Sequence, residues 1–309
     1  MSDLSLLIDD YMMFRQARGM QPNPKIEHLL SQFVSQLPTA RTDELVFSQA
    51  DAVEWSCSTR SAHNAWRANR LSAVRGFASY LAGAGMKVDI PSRGLIHVAD
   101  RRPAPYIYSH ADVQALMKST RALFTPLRAA TMTTLIGLLA VTGMRVGEAL
   151  ALRIRDIDFD AGSLVIVHAK FNRQRIICVD HSTCTALRGY LAHPGRPQPG
   201  NDDLLLVNGK GTHVSQSNIH GAFSTMICAT NLARETKKRP RLHDLRHTFA
   251  TRTIIDAYRH GRTPAATLSA LAIWLGHSDP THTYWYLQAV PELAAIADDL
   301  LGSRTGEIR

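Results

Sequence analysis

The sequence is poor in cysteine and has no long apolar run. Its four cysteines form no CxxC pair in 309 residues, so no disulfide framework is indicated and we expect reduced thiols. The longest apolar stretches, such as LIGLLAV at 135–141, are far shorter than the ~20 residues that cross a bilayer. The N-terminus, MSDLSLLIDDYMM, has acidic residues but no basic residue before its apolar positions, the wrong polarity for a secretory signal. These absences predict a cytoplasmic protein without a membrane segment.

Positive charge, by contrast, is in excess. The chain has 35 Lys and Arg against 26 Asp and Glu, a formal charge of +9 and a pI near 9.6. Most of this excess lies after residue 105, where 23 basic residues face 16 acidic ones. A basic chain indicates an anionic partner, and nucleic acid is the commonest.

The chain divides at one charged, proline-containing stretch, HVADRRPAPYIYS. We predict a helical N-terminal domain over 1–97, a linker over 98–108 and a second domain over 109–309. Apolar periodicity in the first domain predicts four helices, at about 4–18, 26–37, 48–57 and 59–82. The chain has no internal repeat, and its 45% apolar residues can supply a core for each domain.

The second domain combines helical patterns with one stretch of alternation. Ser109 and Asp112 have capping-box spacing and predict a helix start. The stretch IRDIDFDAGSLVIVHAKFNRQRIICVD alternates apolar and polar residues around two turns, which is typical of a three-stranded antiparallel meander. LLLV at 204–207 could add a short strand. The predicted fold class is therefore mainly α with a small antiparallel β-sheet.

Two short motifs carry candidate chemistry. In TGMRVGEAL, Glu148 follows Arg145 by one helical turn on the same face, a spacing that alone is most often a surface ion pair. In RLHDLRHTF, His243 and Arg246 share one face near a helix start, where free N–H groups and the helix dipole favour a phosphate. His243 and His247 have the i, i+4 spacing of zinc ligands, but Asp244 stands where the HExxH pattern has its Glu and no third ligand is evident. We therefore expect no metal site, and a packing or capping role for His247.

Taken in order, these motifs resemble a known family. Arg145, Lys170 in HAKFNRQR, the HxxR pair, His277 in LGH and a tyrosine nine residues later match the tyrosine recombinases, which include phage integrases, Xer and Cre recombinases and transposon-encoded enzymes. The resemblance covers about 105–300, and the N-terminal region is similar to the family's core-binding domain. It implies a site-specific DNA recombinase that cleaves and rejoins strands through a 3′-phosphotyrosine. It also implies integration, excision or transposition as the outcome.

The stretch LGHSDPTHTYWYLQ offers two tyrosines as the nucleophile. The family's nucleophile lies nine residues after the LGH histidine, which is Tyr286, whereas Tyr284 is two residues short. Residues two apart on a helix point about 200° away from each other, so only one of them can face the pocket. We predict Tyr286 as the nucleophile, and Tyr284 as a packed aromatic residue or a DNA contact.

The resemblance assigns the remaining roles residue by residue. Arg145 and Arg246 would bind the non-bridging phosphate oxygens, and His243 would act as the base for the tyrosine. Lys170, on a hairpin, would protonate the departing 5′ oxygen, although a basic hairpin is also typical of a phosphate-contacting face. His277 would donate a hydrogen bond to the phosphate and Glu148 would orient the cationic site. We expect no cofactor and no divalent ion.

Further basic residues are candidates for contact with DNA. Arg60, Arg67, Arg70 and Arg75 lie within an arc of about 140° on the predicted 59–82 helix, but Leu71 and Val74 share that arc, so an ordinary solvated face is equally compatible. The other candidates belong to the hairpin and to the run RETKKRPR. They are Arg173, Arg175, Lys237, Lys238, Arg239 and Arg241.

Assembly and competing functions remain open at this level. The partner is expected to be double-stranded DNA, and the resemblance implies a homotetramer on paired sites, with or without a second recombinase or accessory protein. The segment after Pro291 would dock on a neighbouring subunit or pack on its own domain. A type IB topoisomerase-like activity and a catalytically silent DNA-binding accessory protein are the alternatives. The spacing between Arg246 and His277 is longer than usual, which predicts a longer loop at YRHGRTP between two intact helices.

Overall fold

The structure is a computed structural model and describes residues 2–37, 45–59, 63–98, 104–123, 125–167, 174–200, 202–230, 232 and 240–276. The described residues up to 98 form one compact unit, and those from 104 onward form a second. Both units are largely helical, and three short strands form one antiparallel sheet, which confirms the predicted fold class. Within these ranges, no helix is long and apolar enough to cross a membrane.

The N-terminal unit consists of helices whose starts follow the capping residues. Asn23 accepts a hydrogen bond from Lys25 N ahead of the second helix. Ser48 and Asp51 form a capping box, in which Ser48 N donates to Asp51 Oδ2 at 2.7 Å. The last helix begins later than position 59, because the backbone of His63 is extended. The helices are α1 (Ser2–Ala17), α2 (Pro24–Ser35), α3 (Gln49–Cys57) and α4 (Asn64–Gly83).

Aromatic side chains fill the centre of this unit. Phe33 packs edge-on against Phe47 and Trp55, with ring centroids 5.0 and 5.2 Å apart. Phe77 of α4 is fully buried in the same cluster. Edge-on aromatic pairs are favourable beyond the apolar area that they bury, so this cluster joins α2, α3 and α4 into one body.

The first helix of the second unit begins with the predicted capping box. Ser109 N donates to Asp112 Oδ2 at 2.7 Å, and Asp112 N donates to Ser109 Oγ at 3.0 Å. The loop at 260–263 separates two intact helices, in agreement with the longer spacing noted in the sequence. The helices are α5 (His110–Ser119), α6 (Pro126–Thr142), α7 (Val146–Ala151), α8 (His181–Leu191), α9 (Gln216–Cys228), α10 (Asp244–Arg259) and α11 (Pro264–Leu275), with 3-10 turns at Thr120–Ala122 and Ile154–Asp156.

The sheet is the predicted three-stranded meander. β1 (Ile157–Asp158), β2 (Ser163–Val167) and β3 (Gln174–Cys178) pair antiparallel in that order, with Leu164 opposite Ile177 and Ile166 opposite Arg175. Leu164, Ile166 and Ile177 are buried, as alternation requires on the face toward the core. LLLV contributes isolated bridges, Arg153 to Leu204 and Val207 to His213, instead of the short strand that its sequence suggested.

Two helices of the second unit end in left-handed glycines. Gly143 follows α6 with φ 64°, and Gly276 follows α11 with φ 65°. This conformation suits glycine because it lacks a Cβ. At Gly143 a Cβ would also lie 2.4 Å from Cδ1 of Phe249, so space as well as backbone geometry requires glycine there. These two helix ends frame the candidate site.

Candidate active site

Arg145 and Glu148 meet as the sequence predicted, at the start of α7. Arg145 N donates to Glu148 Oε2 and Arg145 Nη1 donates to Glu148 Oε1, both at 2.9 Å. The acidic residue therefore caps the helix through the backbone and pairs with the guanidinium at once. The Glu148 side chain is only 8% exposed, whereas that of Arg145 is 35% exposed. The pair is thus anchored on the carboxylate side and open on the arginine side.

A second arginine, Arg175, binds the same carboxylate from β3. Its Nη2 donates to Glu148 Oε2 at 2.7 Å and its Nη1 to Oε1 at 3.2 Å, while its Nε donates to the carbonyl of Trp274 at 2.8 Å. The side chain is 10% exposed. Arg175 was predicted as a DNA contact, and the structure shows that its guanidinium has partners inside the unit. The sequence contained a signal for this inward position. Side chains two residues apart on a strand point to the same face, and Arg175 lies two residues before the buried Ile177.

The two arginines hold Glu148 ionised. Burial of the carboxyl group raises its pKa, but hydrogen bonds and charge from Arg175 and Arg145 outweigh burial and lower the pKa of Glu148 to about 2. A carboxylate with so low a pKa is fully charged at neutral pH. One negative charge therefore faces two guanidinium groups, and the cluster keeps a positive excess.

Arg246 is fixed by the ends of α6 and α11. Its Nη1 donates to the carbonyl of Gly143 at 2.8 Å and its Nη2 to the carbonyl of Leu275 at 2.7 Å. The residue is 2% exposed. The last carbonyls of a helix have no partner within the helix and carry its negative dipole end, so they suit a cation. Arg145 Nη2 donates at 3.3 Å to the next carbonyl, that of Gly276, so both guanidinium groups converge on one helix end.

His243 stands immediately before α10, one turn from Arg246. Its backbone is already helical, and its side chain makes no capping hydrogen bond. Burial lowers the pKa of His243, and the nearby positive charge of Arg246 lowers it further. The imidazole is therefore neutral near pH 7 and able to accept a proton. The ring of His247 packs edge-on against it, with centroids 4.9 Å apart, which fits the packing role expected for His247.

The turn before α10 is held by Arg241 and Asp244. Arg241 N donates to Asp244 Oδ2, and Arg241 Nη2 donates to Asp244 Oδ1, both at 2.9 Å. Asp244 is almost fully buried, whereas half of the Arg241 side chain remains exposed. Arg241, predicted as a DNA contact, is thus primarily the partner of a buried carboxylate, and its exposed half is still able to meet a phosphate.

Comparisons with known proteins identify the family of this chain. Residues 107–292, more than half of the sequence, match the model of the phage integrase family. The putative integrase/recombinase y4rB of Sinorhizobium fredii (strain NBRC 101917 / NGR234) is 33% identical over 301 residues, 95% of each chain. The chain belongs to the phage integrase family. The family recognised from the motif order is thereby confirmed.

Other similarities agree with this assignment. The tyrosine recombinase XerC of Staphylococcus aureus (strain bovine RF122 / ET3-1) is 26% identical over 217 residues, which cover 70% of this chain and 68% of the relative. The Tn1549 transposon integrase in complex with transposon right end DNA has a TM-score of 0.65 at 16% identity and covers 96% of this chain and 99% of that chain. The XerH recombinase bound to a palindromic difH substrate has a TM-score of 0.64 at 17% identity, with 96% of each chain covered. These two structures establish the shared fold.

In this member of the phage integrase family, part of the predicted site lies outside the described residues. Arg145, Glu148, His243 and Arg246 are brought together as described above. Trp274 and Leu275 join them through backbone carbonyls, which no side-chain motif could reveal. The predicted residues outside the described ranges are Arg60, Lys170, Arg173, Lys237, Lys238, Arg239, His277 and Tyr286.

The arginines of α4 do not form the common stripe that the arc suggested. Arg70 is 6% exposed and its guanidinium lies 3.9 Å from the ring centroid of Trp55. Arg75 Nε and Nη2 donate to the carbonyls of Pro91 and Ser92, at 2.7 and 2.8 Å. Within the described residues, Arg67 makes long contacts, at 3.3 Å to Asn64 and 3.4 Å to Thr59. Arg70 is drawn inward because an aromatic face offers its cation a buried partner.

Proposed function

We propose that this chain cuts and rejoins DNA by direct phosphoryl transfer to Tyr286. The tyrosine oxygen attacks the scissile phosphate, a 3′-phosphotyrosine bond forms, and the bond to the 5′ oxygen breaks. One observation carries the proposal: Arg246 and Arg145 donate to the successive carbonyls of Leu275 and Gly276. The chain leaves this point directly into His277, and Tyr286 follows nine residues later.

The two guanidinium groups supply the charge that the transition state needs. Negative charge develops on the non-bridging oxygens during attack, and fixed donors that face those oxygens stabilise it without reorganising. Arg246 is held by the Gly143 and Leu275 carbonyls, and Arg145 by Glu148 and Gly276. Because these contacts fix both side chains before DNA binds, little ordering is left to do in the complex.

Protons move through two side chains. His243, whose pKa is lowered by burial and by Arg246, accepts the proton of the Tyr286 hydroxyl as the bond to phosphorus forms. Lys170 gives a proton to the departing 5′ oxygen, and His277 donates a hydrogen bond to the phosphate. In the second half of the reaction a 5′ hydroxyl from another strand attacks the phosphotyrosine, and the same groups return the protons. Cationic side chains fill the role of a metal ion in this scheme, so it needs no divalent cofactor.

We also propose how the whole chain works on DNA. Residues 1–97 act as a core-type DNA-binding domain, 98–108 as the linker and 109–309 as the catalytic domain, on double-stranded DNA in the cytoplasm. Four copies assemble on two paired sites, as a mobile-element recombinase requires. The Tn1549 transposon integrase, solved with its transposon end DNA, supports DNA as the partner through its shared fold. Among the described residues predicted to contact DNA, Arg67 and the exposed half of Arg241 are available for contact with phosphates.

The nucleophile is tested with nicked suicide substrates tiled from DNA that flanks the gene. Wild type, Tyr286→Phe and Tyr284→Phe proteins are incubated in EDTA, and covalent protein–DNA adducts are scored on a denaturing gel. We expect adducts with wild type and Tyr284→Phe and none with Tyr286→Phe. Loss with Tyr284→Phe alone would overturn the choice of tyrosine.

Two further outcomes separate the alternative functions. Binding without an adduct on any substrate would indicate a catalytically silent accessory protein. Relaxation of supercoiled DNA by a monomer without paired sites would indicate a topoisomerase-like activity. Neither outcome is expected from a family member with every reactive residue type of the motif set.

A further inference from the structure

Tyr108 is a fully buried tyrosine whose polar groups all bind α10 or the turn before it. Its hydroxyl donates to the carbonyl of Arg241 at 3.0 Å, and its backbone N–H donates to Thr248 Oγ1 at 3.0 Å. Its carbonyl accepts from Arg252 Nη2 at 2.7 Å. The chain that enters the second unit is therefore fastened to the helix that carries His243 and Arg246.

The hydroxyl contact reaches the turn that presents His243. The carbonyl of Arg241 accepts from Tyr108 and, at 3.0 Å, from Asp244 N. Since His243 lies between Arg241 and Asp244, it is part of this closed turn. Its own side chain makes no capping hydrogen bond, so the turn depends on contacts from other residues.

The Tyr108 hydroxyl is suited to a fixed donor role. Burial raises its pKa well above the ordinary value, with the negative charge of Asp244 adding to the effect, so it keeps its proton throughout the working range. Water cannot readily replace a donor in a fully buried position. Removal of the hydroxyl would thus leave the Arg241 carbonyl with one partner fewer and loosen the turn.

We propose that Tyr108 is a positioning residue for strand cleavage: its hydroxyl fixes the turn of Arg241 and thereby the imidazole of His243. This inference rests on the proposed role of His243 as the base. It adds a dependence of the reaction on the segment that enters the catalytic unit. Tyr108 touches neither DNA nor the reacting atoms in this scheme and acts only through the turn.

The neighbouring Tyr106 provides a matched control. Its hydroxyl also donates a hydrogen bond in the same segment, to Asp112 Oδ2 at 2.9 Å, but that carboxylate caps α5. The Tyr106 ring packs edge-on against the Tyr108 ring, with centroids 4.8 Å apart, and a phenylalanine keeps this contact. Tyr106→Phe and Tyr108→Phe therefore each remove one hydroxyl and preserve the ring. A general loss of packing or stability would affect both variants, whereas a positioning role would affect only Tyr108.

The test measures single-turnover adduct formation on a suicide substrate from about pH 5.5 to 9, the range in which an imidazole titrates. We expect Tyr108→Phe to slow cleavage about five- to tenfold and to shift the acid limb of the pH profile, and Tyr106→Phe to stay within about twofold of wild type. The charged groups around His243, namely Arg241, Asp244, Arg246 and Arg145, are unaltered in both variants. A shifted limb would therefore report a moved imidazole.

A second measurement covers the case in which Tyr108→Phe is poorly folded. Arg252→Gln removes the hydrogen bond between α10 and the Tyr108 carbonyl, and we expect this variant also to slow cleavage.

A further measurement follows the imidazole itself. In the non-cleaving Tyr286→Phe background, the NMR signal of His243 should change its titration midpoint with Tyr108→Phe and not with Tyr106→Phe. The signal is assigned by its loss in His243→Gln.

Each result has one reading. Equal rates and equal pH profiles for wild type and Tyr108→Phe would overturn the positioning role, as would equal slowing by Tyr106→Phe. Absence of an adduct with wild type itself would instead count against the proposed function. The two failures are therefore distinguishable within one experiment.

Discussion

The two units of this chain use arginine in different ways. In the second unit, Arg145, Arg175 and Arg246 all donate to carbonyls at the end of α11, and Arg145 and Arg175 also bind the carboxylate of Glu148. In the N-terminal unit, Arg70 stacks on Trp55 and Arg75 binds loop carbonyls. All five guanidinium groups have partners. Of the two groups, only the three arginines of the second unit lie around one helix end and keep an excess of positive charge. The partner of an arginine, more than its place on a helix, separates an anion site from a structural contact.

The largest expected effect comes from Arg246→Gln. The variant loses the buried donor that we propose for the phosphate, and we expect adduct formation to fall about a hundred- to a thousandfold, the usual scale for one such donor. Arg75→Gln is the matched control, because Arg75 also donates to two backbone carbonyls but in the other unit. At saturating DNA the control should stay within about twofold of wild type. Equal rates of adduct formation for Arg246→Gln and Arg75→Gln would contradict the different roles of arginine in the two units.

Arg175→Gln should have an intermediate effect with a pH signature. Glu148 then loses Arg175 as a partner, and its carboxylate neutralises Arg145 more fully. We expect cleavage to slow about 10- to 100-fold. The pKa of Glu148 should rise from about 2 toward its ordinary value, which an NMR titration of the Glu148 carboxyl group in wild type and variant measures.

Stability follows the same linkage. The depressed pKa of Glu148 contributes stability that is complete above about pH 4.5, its ordinary value, and is lost as the pH falls toward 2. Acid unfolding of wild type and Arg175→Gln is followed by circular dichroism. Between about pH 4.5 and 2, the stability of the variant should depend less on pH than that of wild type. In a double-mutant cycle, Glu148→Gln should cost less in the Arg175→Gln background than alone. Additive losses would contradict the shared-carboxylate arrangement.

The smallest expected effect separates two arginines of α4. Arg70→Met should lower the free energy of unfolding by about 1–2 kcal/mol, because it loses the stack on Trp55, and should leave the salt dependence of DNA binding unchanged. Arg67→Gln should reduce the slope of log affinity against log salt by about 1 and change stability by under about 0.5 kcal/mol. Denaturant titration and DNA binding at several salt concentrations measure both quantities. The reverse pattern would indicate that Arg70 contacts DNA.

Local features of the fold were predictable from the sequence, whereas long-range partners were not. The Ser109–Asp112 capping box, the meander and the Arg145–Glu148 pair follow from spacings of a few residues, and all are present. Arg175 and Trp274 are 99 residues apart, and the contact uses a backbone carbonyl that has no sequence signature. Arg70 turns inward because its guanidinium stacks on Trp55. Trp55 lies on α3, so the periodicity of α4 could not indicate this contact.

The central claim is that the arginine pair held at the end of α11 serves phosphoryl transfer to the tyrosine nine residues after His277. The most direct measurement is mass spectrometry of the proteolysed wild-type adduct, formed on a suicide substrate in EDTA and trimmed to a single nucleotide. We expect the nucleotide on Tyr286, joined through its 3′ phosphate. A nucleotide on Tyr284 or on any other residue, or a 5′ linkage, would contradict the claim.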